Sequence, residues 1–228
     1  MDLSHKELYV DSVEFSYSYG QQLLTGAYLH CKVGDVVGLL GRNGCGKSTL
    51  MKIIFGTIVP KHAFLRLNGK RMSKLYLSHE VCYLPQQHFL PTSKSVKDLI
   101  HLFIRDNSVS EAITKDDIIE KLLQTKVADL STGEVRYLEF LLLIHQKAAF
   151  ILLDEPFSGV SPLLKERIQA WIQRFRSQKG FVVSDHHYQS VLGICTKIVL
   201  LENGGCRQVH SKKELEFHYL PEGTFDEE

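Results

Sequence analysis

Two short stretches of this sequence carry residue types whose spacing could do chemistry. The first is Gly41-Arg42-Asn43-Gly44-Cys45-Gly46-Lys47-Ser48-Thr49. Gly41, Gly44 and Gly46 let the backbone curl so that successive amide N–H groups point inward and form an anion nest. The positive end of a following helix adds to that field. Lys47 can reach the β- and γ-phosphates of a nucleotide, and the Ser48 hydroxyl can ligate magnesium. The expectation is therefore binding of ATP with Mg2+, followed by hydrolysis. Cys45 sits inside the loop. A thiol near a helix N-terminus can have a lowered pKa, but small size at a crowded position accounts for it equally well and is the preferred reading.

The second stretch, Phe150-Ile151-Leu152-Leu153-Asp154-Glu155, is an apolar run ending in two acids. Burying adjacent carboxylates costs several kcal/mol unless a cation compensates. Asp154 at a strand end beside Mg2+ resolves that cost, because it can hold the metal's water shell against the phosphates. Glu155, one residue on, is then placed to polarise the attacking water. The alternative is that both acids cap a helix beginning near Pro162, although capping residues normally lie closer to their helix than this.

These groups need elements to position them. Leu8 to Phe15 and Leu23 to Val33 read as two strands joined through a turn at Gly20, an antiparallel start. Val36 to Leu40 is a short continuous apolar run, as expected for a strand buried on both faces. Ser48 to Phe55 has helical spacing and stops at Gly56. Ala63 to Leu67 and Val81 to Leu84 read as further strands. From Ser95 to His145 the pattern turns helical, with Val96, Leu99, Ile100 and Phe103 on one face and Ile118, Ile119, Leu122 and Leu123 on another. Phe150 to Leu153, Phe181 to Ser184 and Lys197 to Leu201 are buried strands, with a helix over Pro162 to Phe175 between the first two. A short helix is placed near Lys212 to Phe217, and the acidic tail Asp226-Glu227-Glu228 reads as solvated. Strands alternating with helices around a phosphate loop imply an α/β fold with a mostly parallel sheet.

With three further features, these motifs resemble the ATPase subunit of ABC transporters, from about Leu8 to Gln208. Leu130-Ser131-Thr132-Gly133-Glu134 is similar to that family's LSGGQ signature and has a helix behind it. A serine and a glycine at a helix N-terminus form a second anion site, which in the family caps the γ-phosphate bound to the opposite subunit. Tyr83-Leu84-Pro85-Gln86 resembles the Q-loop. By that analogy Gln86 contacts magnesium and the attacking water, with Gln87 as a rival. Ser184-Asp185-His186-His187 matches the switch-histidine position, where His186 aligns best and His187 is the alternative. A histidine at this strand end can bridge the γ-phosphate and Glu155. Tyr17 resembles the aromatic that stacks on adenine, and Tyr19 is a less favoured substitute. Stacking reads the base weakly, so GTP stays open beside ATP.

The resemblance implies a P-loop NTPase (RecA-like) core with an N-terminal antiparallel β subdomain and an inserted α-helical subdomain over about 88–146, all within one ATPase domain spanning 1–228. Two departures stand out. Thr132 occupies a signature position that is normally glycine, and Glu134 replaces glutamine. A β-branched residue is a poor fit where backbone must approach a phosphate. Ser161, in Phe157-Ser158-Gly159-Val160-Ser161-Pro162, stands where the family usually has aspartate. Lys47, Asp154, Glu155 and His186, which act on the chain's own nucleotide, are all present. The altered groups are those offered to a partner's site.

Composition bounds the setting. The 228 residues suffice for one well-buried core, and 44% hydrophobic with 23% charged residues is globular. A formal net charge of +1 shows no basic excess, so nucleic acid is not an expected partner. Five cysteines without CxxC pairs read as reduced thiols. The N-terminus shows no signal-peptide pattern. The most apolar stretch, Phe140 to Leu153, is broken by His145, Gln146 and Lys147 and falls short of the ~18 apolar residues of a span. No appended regulatory domain is expected after Gln208. Reduced thiols imply a cytoplasmic chain, and the family resemblance implies one peripheral on the inner face of the cell membrane. By that resemblance it would pair head to tail with itself or a homologous ATPase subunit and power a separate transmembrane permease. A soluble relative acting on ribosomes or DNA is the alternative. A P-loop kinase would not need the Leu130 signature, and a GTPase should carry an NKxD-like guanine reader, which is lacking.

Overall fold

A computed structural model of the chain describes residues 6–17, 20 and 22–219. The expectations for Tyr19, for the segment Met1 to His5 and for Asp226-Glu227-Glu228 lie outside them. Two sheets share the chain. β1 (Glu7–Ser16), β2 (Gln22–Lys32), β4 (His62–Leu67) and β5 (Lys70–Arg71) form an antiparallel sheet in the order β2-β1-β4-β5. β3 (Val36–Leu40), β6 (Val81–Leu84), β7 (Phe150–Asp154), β8 (Gly180–Ser184), β9 (Lys197–Glu202) and β10 (Gly205–Val209) form the second, ordered β10-β9-β3-β8-β7-β6. In that sheet the pairs β9–β3, β3–β8, β8–β7 and β7–β6 are parallel, and only β10 runs antiparallel at the edge.

The central strands read as unbroken apolar runs because both faces are covered. Along β7, Phe150 and Leu152 pack into one core while Ile151 and Leu153 pack into the other. β8 alternates likewise, with Phe181 and Val183 facing one way and Val182 the other. This is the period-two geometry of a strand between two layers. One core joins the sheet to α1 (Lys47–Phe55) and the antiparallel sheet, through Leu50, Ile53, Ile54, Leu8 and Leu29. The other takes most of the remaining helices. α2 (Val96–Phe103), α3 (Asn107–Thr114), α4 (Ile119–Leu122) and α5 (Thr132–Ile144) lie in sequence between β6 and β7. α6 (Pro162–Phe175), α7 (Tyr188–Leu192) and α8 (Lys212–His218) follow among the described residues. The sequence reading did not anticipate β5, α7 or β10, which are short or at an edge.

The parallel strands all deliver their carboxyl ends to one side. Asp154 pairs in register with Ser184, and Gly38 with Val183. The loops after β3, β6, β7 and β8 therefore meet, at the place where open α/β sheets bind ligands.

Candidate functional site

The loop after β3 enters α1 through Gly46, which adopts a left-handed conformation, and no side chain caps the helix. The amides of the first turn are therefore left for an external acceptor. Gly41 is also in the left-handed region, and a Cβ there would meet the Leu201 carbonyl oxygen at 2.5 Å. The loop path thus requires glycine at this position. Lys47 Nζ donates to the carbonyls of Gly41 (2.7 Å) and Arg42 (3.1 Å), folding the side chain back along the loop.

Asn43, Gly44, Gly46, Lys47, Ser48 and Thr49 line a cavity of 480 Å3, with Gln86, Glu155 and His186 across from them. Tyr17, 67% exposed, stands at its rim and shares a 2.9 Å hydrogen bond with the Thr49 hydroxyl. Arg42 and Cys45 face a second cavity of 580 Å3 on the other side of the loop. Burial pushes the Cys45 thiol pKa up, against the pull of Lys47. Its environment therefore suits the small-residue reading better than that of a reactive thiol.

Ser48 Oγ donates to Asp154 Oδ1 at 3.0 Å, and Tyr83 Oη donates to Oδ2 at 2.9 Å. Burial raises the Asp154 pKa, Ser48 and Tyr83 oppose it, and Glu155 adds to it. A carboxylate and a hydroxyl this close, both hard oxygen donors in a place where negative charge is disfavoured, fit a magnesium ion. Glu155, also buried, has a left-handed backbone (φ 55°). A non-glycine residue held there costs about 1–2 kcal/mol. Its amide donates to the Ser184 carbonyl at 2.7 Å, and its carboxylate is gripped from two sides. Oε1 lies 2.7 Å from His186 Nε2, and Oε2 accepts from Gln86 Nε2 at 3.0 Å. Of the neighbouring pairs, it is His186 and Gln86 whose side chains contact Glu155. His187 instead precedes α7, its amide bound to Asp185 Oδ1.

Ser131, Thr132, Gly133 and Glu134 are not in this cavity. They begin α5 and line a separate one of 490 Å3 with Gly159, Ser161 and Leu163. Ser131 caps α5, and Glu134 returns the bond to the Ser131 amide, completing a capping box. Ser161 caps α6 through the Leu164 amide, so Asp154 and Glu155 are not that helix's caps.

A family model described as ABC transporter matches residues 24–158, which include the phosphate loop, Gln86, the Ser131 region and Asp154-Glu155. The chain belongs to the ABC transporter family. It is an ATP-binding subunit of that family and an ATPase. Among similar proteins is the lipopolysaccharide export system ATP-binding protein LptB of Escherichia coli, 32% identical over 81% of this chain and 83% of that one. A probable ABC transporter ATP-binding/permease protein of Haemophilus influenzae is 29% identical over 86% of this chain, which spans 38% of that protein's length. A solved ATP-binding subunit of an ABC transporter has the same fold, with a TM-score of 0.81 at 22% identity over 96% of both chains. His186 lies outside the family match, and the end of β8 brings this ABC ATPase's histidine to Glu155. Sequence reasoning assigned no role to Tyr83, Asp185 or Arg136. Asp185 is buried and accepts from the amides of Phe157 and His187. An acid directly after an apolar strand was the available signal for it.

Proposed function

We propose that this chain hydrolyses Mg-ATP in the 480 Å3 cavity and that closure of two such subunits around two nucleotides powers a separate transmembrane permease. The observation carrying the reading is Glu155, held between Gln86 and His186 opposite the phosphate loop. The residues Gly41 to Thr49 cradle the phosphates, with Lys47 turning from its loop carbonyls to the β- and γ-phosphates. Tyr17 stacks on the base. Ser48, Asp154 and Gln86 would hold magnesium, which would supply charge neutralisation at the phosphates. Glu155 accepts a proton from the attacking water, and His186 orients that carboxylate and contacts the γ-phosphate. Ser131, Thr132, Gly133 and Glu134 cap the nucleotide of the opposing subunit, itself or a homologue.

In this reading the whole chain is one ATPase domain with a helical lobe at about 88–146. Among the described residues no helix is long and apolar enough to cross a membrane. Phe89 and Leu102, both exposed, lie on the lobe and its entry loop. They mark where a permease would dock, with the chain on the inner membrane face. Nucleic acid is not a partner in this proposal. The test is Glu155→Gln with ATP: sedimentation should show an ATP-dependent dimer that turns over at least ~100-fold more slowly than wild type. A variant that binds ATP and stays monomeric would sink the dimer mechanism.

A further inference from the structure

α5 is apolar along most of its length, yet two buried ionic residues sit in it one turn apart. Arg136 and Glu139 are 2% and 0% exposed. Desolvating such a pair costs more than its mutual attraction returns unless further hydrogen bonds satisfy both groups. The further bonds, which leave Arg136 Nε without a partner, all go to one loop. Arg136 donates to two successive carbonyls, Pro85 O at 2.6 Å and Gln86 O at 2.7 Å, and lies 3.4 Å from Glu139 Oε2. Glu139 accepts from the Phe89 amide at 2.8 Å and pairs with His88 Nδ1 at 2.9 Å. Residues 85, 86, 88 and 89, which have no regular structure of their own, are thus held by two side chains of one helix. Burial pushes the Arg136 pKa down, while Glu139 and then Asp154, Glu155 and Asp185 push it up. The guanidinium lies in the field of the site's own carboxylates.

We infer that Arg136 and Glu139 are positioning residues that set where the Gln86 carboxamide stands beside Glu155. Arg136 fixes the main chain on either side of the Gln86 Cα, and Glu139 anchors the loop where it leaves. The inference rests on the role proposed above for Gln86. The residue type matters. A planar guanidinium can span two adjacent carbonyls, whereas a lysine ammonium keeps the charge and loses the fork.

Removing Arg136 alone leaves a buried carboxylate held only by His88 and the Phe89 amide and risks unfolding. Arg136→Met with Glu139→Leu replaces the pair by apolar groups and keeps the helix packed. In the full chain, affinity for a fluorescent ATP analogue should stay within about twofold while kcat falls about tenfold, a transition-state loss without a ground-state one. In a Gln86→Ala background the same replacement should lower kcat no further, since residues acting through one another are non-additive. Arg136→Lys should keep a melting temperature near wild type and still show the reduced kcat. An equal loss of kcat with and without Gln86, or full turnover in Arg136→Lys, would overturn the inference. Undiminished kcat in Gln86→Ala by itself would instead refute the role given to Gln86, and the inference with it.

Discussion

At the scale of single residues, the site combines groups that are unfavourable for the empty fold with groups that offset them. Asp154 is the sharpest case. Burial holds its pKa above the ordinary aspartate value, and Glu155 adds to the effect. A carboxyl whose folded pKa exceeds its unfolded one is a load on stability at any pH above the unfolded value, and protonation relieves it. Asp154→Asn keeps the shape and both flanking hydroxyls. It should therefore melt about 2–4 °C higher than wild type at pH 7, the shift made by one kcal/mol in a chain of this size. The gain should disappear as pH falls below the ordinary aspartate range, where the wild-type carboxyl is protonated in both states. Calorimetry from pH 7 down to pH 3.5 checks the sign. ATP hydrolysis in the same variant should be lost. A variant that melts lower at pH 7 would show that Ser48 and Tyr83 outweigh burial.

At the scale of elements, the helices and strands are tied by charged side chains as well as by apolar packing. Lys179, just ahead of β8, is buried and donates to the carbonyls of Gln146 and Ala148, both at 2.6 Å. It joins the end of α5 to the start of two adjacent strands. Burial pushes its pKa down to about 8, with Cys82 opposing. For a lysine with a lowered folded pKa, the unfolded chain binds the extra proton between about 8 and the ordinary lysine value. Stability from this group therefore rises with pH across that window. The difference in denaturant-unfolding free energy between wild type and Lys179→Met should move in favour of wild type from pH 8 to pH 10, by about 1.4 kcal/mol per pH unit at most. A difference independent of pH would mean that the ammonium carries no desolvation cost. The same element scale explains the first turn of α5. Its capping box uses Ser131 and Glu134 together, and Ser131→Ala should cost about 1 kcal/mol in stability apart from any effect on a partner's nucleotide.

At the scale of the whole molecule, the phosphate loop and the Ser131 region sit in separate cavities of one chain. Lys47, Glu155 and His186 line the first cavity with Asp154 beside them, while the second, proposed above to face a partner's nucleotide, carries Thr132 and Ser161. A Cβ on Gly159 would come within 3.3 Å of Thr132 Cγ2, so the threonine methyl packs toward the loop that follows Glu155. In a dimer of identical chains both sites would meet this altered surface. Thr132→Gly with Ser161→Asp should raise the turnover of the purified chain several-fold if the departures limit it. An unchanged rate would make them neutral variation and favour a homodimer as it stands.

The phosphate loop was legible from residue order alone, because three glycines, a lysine and two hydroxyls in nine positions leave little other chemistry. The buried strands were legible too, since a strand covered on both faces must be largely apolar, and Val36 to Leu40, Phe150 to Leu153 and Phe181 to Val183 are. Edge strand β10 and short α7 carry no such pattern, because each is only five residues long and buries a single one of them. The sequence left open which of two neighbouring histidines and which of two neighbouring glutamines reaches Glu155, and only the tertiary structure decided it. Those distances depend on the relative register of β6, β7 and β8 and on the left-handed turn at Glu155. Arg136 and Glu139 could be seen in the sequence as charges among the apolar residues of a helix. That they hold the Gln86 loop follows only once α5 is packed beside β6, because their partners are backbone atoms about 50 residues away. The nine residues of the phosphate loop thus point to nucleotide binding locally, whereas the proposed hydrolytic site exists only because the folded sheet brings side chains together from four separate loops.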